Sequence, residues 1–211
     1  MPRKDGVRPG IAFSAVVGQE DAKTALLVAA VSPHIRSVLL KGPAGTAKTA
    51  LARSVPGIDP GRTVANVPLN VSDERLFGSL DVEKAISGGK IELSSSLLME
   101  ADGNYIYVDD CDRMDPRSLT SMMDYVAEGK VKIERDGISG SYPVDTTVIA
   151  SMYAGSKGIS PHVNDSFDIC VTMRRDKSDI PGAMEVLRRN LEPDQSEDTF
   201  ANQDQILAQR I

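Results

Sequence analysis

Apolar residues along this chain recur with two different spacings, and the places where the spacing changes mark the elements it should form. Val38-Leu39-Leu40 is a short unbroken apolar run of the kind that fills a strand covered on both faces. Ahead of it, Ala22, Ala25, Leu26, Ala29 and Ala30 recur at helical spacing and predict a helix over 21–31 that Ser32-Pro33 ends. A second helix is expected over 49–54, stopped by Pro56-Gly57 and Pro60-Gly61, and 63–69 alternates as a second strand. The stretch 73–85 fits neither period. Gly88-Gly89 marks a turn that 90–93 leaves as a hairpin strand, and 95–101 reads as a short helix ended by Asp102-Gly103. Tyr105-Ile106-Tyr107-Val108 is a third strand. Residues 116–128 form a helix with Leu119, Met122, Met123 and Val126 on one face and Gly129 as its stop. Segments 131–134 and 141–144 flank Asp136-Gly137 and Gly140 as a β-hairpin; 146–152 and 168–173 are two further strands; 178–191 is an amphipathic helix. Residues 1–10 read as a loose arm, the stretch from Glu192 is acidic and polar, and 205–211 begins another helix. Strands alternating with helices place the chain in the α/β class.

Composition narrows what such a domain can do. With 211 residues there is enough chain for one substantial α/β domain. Tryptophan is absent and aromatics make up 4%, so the core must rest on Leu, Ile, Val, Ala and Met. A formal net charge of −6 argues against a general electrostatic grip on nucleic acid. Cys111 and Cys170 have no metal-ligand spacing, and His34 and His162 are too few and too far apart for a histidine metal site. No apolar run reaches the roughly 18 residues that a membrane span needs, so a soluble cytoplasmic protein is expected.

The chemistry concentrates in two stretches. In the first, the 38–40 strand runs into Lys41-Gly42-Pro43-Ala44-Gly45-Thr46-Ala47-Lys48-Thr49-Ala50, which reads as a phosphate-binding loop opening a helix. Small residues such as Gly42 and Gly45 let successive backbone N–H groups curl around a polyphosphate, and the helix start adds partial positive charge. Lys48 would reach the β- and γ-phosphates, and the Thr49 hydroxyl would take one Mg²⁺ position. Ala47 stands where the pattern has a second glycine; its methyl is harmless on a helical backbone and awkward at positive φ. The second stretch is the 105–108 strand ending in Asp109-Asp110. Ligands of an open parallel sheet gather at the carboxyl ends of its strands. There Asp109 would hold Mg²⁺ through its water shell and Asp110 would orient or deprotonate the attacking water. Against these stand plainer readings, a glycine-rich turn in the first case and a turn-capping pair of acids in the second.

With both stretches in view, the chain resembles the AAA+ ATPase module of magnesium chelatase, the enzyme that inserts Mg²⁺ into protoporphyrin IX. The similarity covers roughly residues 11–175. Beyond the loop it rests on Phe13 to Glu20, which is similar to the family's segment before the first helix, and on Glu74-Arg75-Leu76-Phe77-Gly78-Ser79-Leu80-Asp81-Val82-Glu83, which resembles a characteristic insertion. Gly103 to Asp110 resembles the Walker B strand, and Val131 to Ser139 the hairpin before the sensor strand. The resemblance implies a parallel five-stranded sheet sandwiched by helices and decorated by β-hairpin insertions, in an AAA+ P-loop domain spanning 11–191. Residues 192–211 would then be a polar linker and the start of a helical lid. It implies ATP and Mg²⁺ as cofactors, held by Val17, Gly18 and Gln19 near the adenine, by residues 42–50 around the phosphates, and by Thr49 with Asp109 at the metal, with Lys48 and Asp110 as catalytic groups.

Three positions depart from that pattern. The Walker B strand ends Asp109-Asp110 instead of Asp-Glu, so the water-orienting carboxylate is one methylene shorter. Met152-Tyr153 lies where the sensor Asn is expected, and Asp165-Ser166-Phe167 lies where the family has its arginine finger. A finger is worth roughly 10³ to 10⁵ in rate in related nucleotidases. The expectation is a subunit closer to the D than the I type, with weak hydrolysis of its own. Its partners would be a related active AAA+ subunit and a large porphyrin-binding subunit, in an oligomeric ring without nucleic acid or a membrane span, in cytoplasm or plastid stroma. Two alternatives stay open: a non-hydrolysing AAA+ scaffold, and a chaperone-like ATPase serving another metallocofactor.

Overall fold

The computed structural model describes residues 11–79, 94–135, 138–156, 158–175, 180–191 and 193–210. The arm at 1–10, the turn and strand expected over 88–93, the end of the insertion from Leu80 and the hairpin turn at Asp136-Gly137 lie outside the described residues.

A single 3-10 turn (Phe13–Ala15) precedes helix α1 (Glu20–Val31) and strand β1 (Ser37–Gly42). Helix α2 (Lys48–Ser54) follows, extended by a 3-10 turn (Val55–Gly57), and then strand β2 (Val64–Val67). The described start of the stretch that fitted no period forms a short helix α3 (Asp73–Phe77), capped by the Ser72 hydroxyl, which accepts the Arg75 N–H. Helix α4 (Leu97–Glu100), strand β3 (Tyr105–Val108) and helix α5 (Pro116–Glu128) come next. Asp115 caps α5 through the Arg117 N–H, Pro116 occupies its first position, and Gly129 closes it at φ 71°. Strands β4 (Lys130–Arg135) and β5 (Ile138–Pro143) form the expected antiparallel hairpin. Strand β6 (Thr147–Tyr153), helix α6 (Pro161–Asp165), strand β7 (Ile169–Thr172), helix α7 (Ile180–Leu191) and helix α8 (Pro193–Ala208) complete the order.

The main sheet has five parallel strands, as the resemblance implied, and their order is β2-β3-β6-β1-β7. Strand β1, between β6 and β7, alternates between two cores. Val38 and Leu40 join Ala22, Ala25, Leu26 and Ala29 of α1 and Leu51 and Ala52 of α2 on one face. Leu39 joins Leu119, Met122, Met123 and Val126 of α5 on the other. Burying each such Leu contributes about 1.5–3 kcal/mol, so the sandwich fixes which end of each strand faces which helix terminus.

The carboxyl-terminal stretch differs from the sequence reading. Residues 193–208 form one helix where a polar linker and a helix over 205–211 were expected. Its polar composition hides the helix from a hydrophobic period, and its hold on the domain joins a buried carboxylate to the apolar contact of Leu207. Asp204 is buried and accepts the N–H groups of Phe13 (2.7 Å) and Ser14 (2.9 Å).

Candidate functional site

Strand β1 ends at Gly42, and the loop 43–47 carries the chain over the end of the sheet into α2. The turn needs left-handed backbone twice. Gly45 supplies it at φ 79° with open space around it, so only conformation demands glycine there. Ala47 also sits there, at φ 65° and ψ 22°, and serves as the residue before α2 with no side-chain cap. Its methyl therefore stands at the costly conformation, a strain of order 1–2 kcal/mol. Gly42 is required for a different reason: a Cβ would fall 2.8 Å from the Met173 carbonyl oxygen and 3.0 Å from Thr46 Oγ1. Thr46 is buried and donates to the Pro43 carbonyl (2.9 Å), while Ala44 and Gly45 are exposed at the tip and Ala50 is half-buried in α2.

The Lys48 ammonium folds back over this loop and donates to the carbonyls of Gly42 (2.8 Å) and Pro43 (2.9 Å). It therefore stands directly above the curl of backbone that a polyphosphate would enter. One residue on, Thr49 Oγ1 donates to Asp109 Oδ2 at 3.3 Å, which joins the helix start to the end of β3. Asp109 Oδ1 also accepts from the hydroxyls of Ser151 (2.7 Å) and Tyr107 (2.9 Å). The Tyr107 oxygen is 3.1 Å from Thr49 Oγ1 and 3.0 Å from Ser151 Oγ, so the four side chains form one hydroxyl-carboxylate cluster. Burial pushes the Asp109 carboxyl up, but hydrogen bonds from Ser151, Tyr107 and Thr49, with the Arg53 charge, outweigh it and hold the group below its usual range. Burial pushes the Tyr107 phenol up to about 12, so it remains a neutral hydrogen-bonding group.

Asp110 takes a separate position. Its backbone is left-handed (φ 49°), its N–H donates to Ser151 Oγ (3.2 Å), and its carboxylate faces Arg113 at 3.7 Å. On the other side of the loop, Val17 is half-buried, Gly18 is exposed at φ 67°, and Gln19 is left-handed at φ 58°. The Gln19 side-chain amide donates to the Arg174 carbonyl (2.8 Å), and Met173 N–H donates to Lys41 O (2.6 Å). The segment before α1 and the one after β7 thus clasp each other beside the loop. The 165–167 stretch lies at the end of α6, with Asp165 exposed, Ser166 Oγ donating to the Val163 carbonyl and Phe167 buried. The ammonium of Lys41 bonds Asn164 of α6.

The donor set fits the groups that the resemblance implies. Mg²⁺ takes oxygen ligands and keeps much of its water, and Thr49 and Asp109 present a hydroxyl and an ionised carboxylate side by side. A polyphosphate fits a loop with left-handed residues and a lysine over its backbone. Tyr107 and Ser151 were missed by the sequence reading. Tyr107 was within reach, since it lies two residues before Asp109 and so on the same face of β3. Ser151 was not, because it is aligned only by the β3–β6 register, where Val108 sits opposite Ala150.

Comparisons with known proteins show the family and the fold. The sequence matches the MCM P-loop domain family over residues 4–169. It is 30% identical to the magnesium-chelatase 38 kDa subunit of Rhodobacter capsulatus, over 86% of this chain and 61% of that protein. It is 29% identical to the magnesium-chelatase subunit ChlI homolog of Methanocaldococcus jannaschii, over 89% of this chain and 61% of that protein. A third relative, protein Rv2850c of Mycobacterium tuberculosis, is 32% identical over 94% of this chain and 33% of its own length. The chain thus spans between a third and about three fifths of these relatives. Among solved structures, a chain from the cryo-EM complex between subunits BchI and BchD of magnesium chelatase superposes with a TM-score of 0.72. It is 28% identical and covers 97% of this chain and 73% of its own.

Proposed function

Because the chain belongs to the MCM P-loop domain family, we propose that it binds MgATP as an AAA+ subunit of a magnesium chelatase, supporting insertion of substrate Mg²⁺ into protoporphyrin IX. The similarity to magnesium-chelatase subunits over most of the chain supports the complex. The observation that carries nucleotide binding is the meeting of Thr49 and Asp109, from separate elements, beneath a loop that Lys48 covers. In this reading Gly42 to Ala50 cradle the phosphates and Lys48 exchanges its two carbonyl partners for phosphate oxygens. Thr49 and Asp109 would hold the cofactor Mg²⁺, which would supply positive charge against the phosphates. Val17, Gly18 and Gln19 line the side where the base would rest. Partners would be a related active subunit and a large porphyrin-binding subunit in a ring, in cytoplasm or plastid stroma.

Hydrolysis by this subunit is expected to be weak. Asp110, the candidate for orienting water, faces Arg113, and no arginine stands at 165–167. A misplacement of about 1 Å at such a group costs on the order of 10²-fold. The same two features, with Ala47 at positive φ, favour the second reading of a non-hydrolysing scaffold.

Equilibrium binding of a fluorescent ATP analogue with and without Mg²⁺ separates the two. Magnesium-dependent binding that Lys48→Ala lowers by about 100-fold or more, with circular dichroism unchanged, supports the nucleotide reading. Binding indifferent to both leaves the scaffold.

A further inference from the structure

The carboxyl-terminal helix reaches the amino-terminal side of the domain through one buried carboxylate. Asp204 of α8 is 3% exposed, and its two oxygens accept the N–H groups of Phe13 and Ser14, one each. These are charge-assisted bonds to the first residues of the 3-10 turn, and that turn has no side-chain cap of its own. Ser14 Oγ adds a bond to the Phe200 carbonyl (3.0 Å), and Arg189 of α7 donates to the Ala15 carbonyl while its guanidinium stacks 4.3 Å from the Phe200 ring. The carboxylate also lies against Gly57, at the end of the helix that opens with Lys48: a Cβ there would stand 2.8 Å from Asp204 Oδ2. Two residues past the turn come Val17, Gly18 and Gln19, the last two at positive φ, and Gln19 closes onto Arg174 beside the phosphate loop. The turn is thus held from one direction by α8 and opens in the other onto the clasp.

We infer that Asp204 is a positioning residue for the nucleoside half of the ligand: by fixing Phe13 and Ser14 it sets Val17 to Gln19, so docking of α8 is linked to recognition of the base and not of the triphosphate. This rests on the proposed nucleotide site. The triphosphate contacts come from the loop, Lys48 and Thr49, none of which bonds Asp204. Linkage is reciprocal, so a nucleotide that orders the 17–19 segment must also tighten α8.

The test compares MgATP with magnesium tripolyphosphate, which has the phosphates and no nucleoside. In Asp204→Ala the dissociation constant for MgATP rises on the order of 10-fold, as expected for losing charge-assisted bonds that order a segment, while that for tripolyphosphate stays within about twofold. Gly57→Ala reproduces the same split, because its methyl displaces the carboxylate without touching the clasp. Hydrogen exchange on the unaltered chain gives a reading free of any folding defect: MgATP protects peptides covering 11–19 and 199–209, and tripolyphosphate protects neither. Equal weakening of both ligands in the variants, no change in either, or MgATP protection confined to 42–50 overturns the inference while leaving the nucleotide site intact. Wild-type protein that binds neither ligand overturns the nucleotide site, and the inference with it.

Discussion

The two ends of the central sheet are built on opposite terms. At the end where β1 and β3 begin, polar side chains bond one another and the backbone. Arg62 stacks on the Tyr105 ring at 3.9 Å and donates to the carbonyls of Gly103 and Asn104 and to Thr147, while Tyr105 donates to Asp59 at 2.6 Å. Asp168 accepts from the Arg36 N–H and from Ser37 Oγ. Where the backbone turns left-handed at that end, at Gly103 and Gly129, glycine takes the strain. At the end where β1 and β3 finish, Gln19, Ala47 and Asp110 are, among the described residues, the ones with side chains at positive φ. Asp112 Oδ1, just beyond β3, is the one buried side-chain oxygen found without a partner among the described residues. Strain and unmet polarity persist where the surrounding structure imposes them, and they gather at sites of function. The contrast sets the end that carries stability apart from the end where the proposed nucleotide site lies.

Paired substitutions break that contrast most sharply. Arg62→Ala strips partners from two carbonyls and the cation from the Tyr105 face, and should lower stability by about 2–3 kcal/mol in denaturant unfolding with nucleotide affinity unchanged. Lys48→Ala should do the reverse, losing most affinity with a stability change below about 1 kcal/mol. If both variants lose both properties, the division between ends fails. A smaller effect tests the strain itself. Ala47→Gly removes a methyl from left-handed backbone and should raise stability by about 0.5–1 kcal/mol in thermal unfolding, since the relief exceeds glycine's extra chain entropy. The smallest concerns acid. Asp109 has its pKa depressed in the folded chain, so its contribution is complete above the ordinary carboxylate value of about 3.9 and is lost as pH falls through the lowered one. Asp109→Asn should therefore lower stability slightly at neutral pH, where that contribution is complete, and flatten the decline below about pH 4, measured as unfolding midpoints against pH.

Much of the sheet was legible because its strands are apolar on both faces and their helices carry clear stripes. The 38–40 run, the 105–108 strand and the Leu119–Val126 stripe all sit in the core as the pattern required. Helix α8 was not legible, because its anchors are a carboxylate and an aromatic ring set in polar sequence. The loop and Asp109 could be read from residue types at fixed spacing. Whether Ala47 was helical or left-handed could not, since that follows from the path of the chain between β1 and α2. Ser151 was hidden for a similar reason: strand register, a property of two distant segments together, brings it to Asp109.

The clasp between Gln19 and the far side of the loop is asymmetric. One partner contributes an amide at the tip of its side chain, the other only a peptide oxygen. Nearly any amino acid at 174 could therefore evolve without loosening it, whereas few replacements at 19 would still reach across, leaving the exposed Arg174 guanidinium free to be selected for some other task.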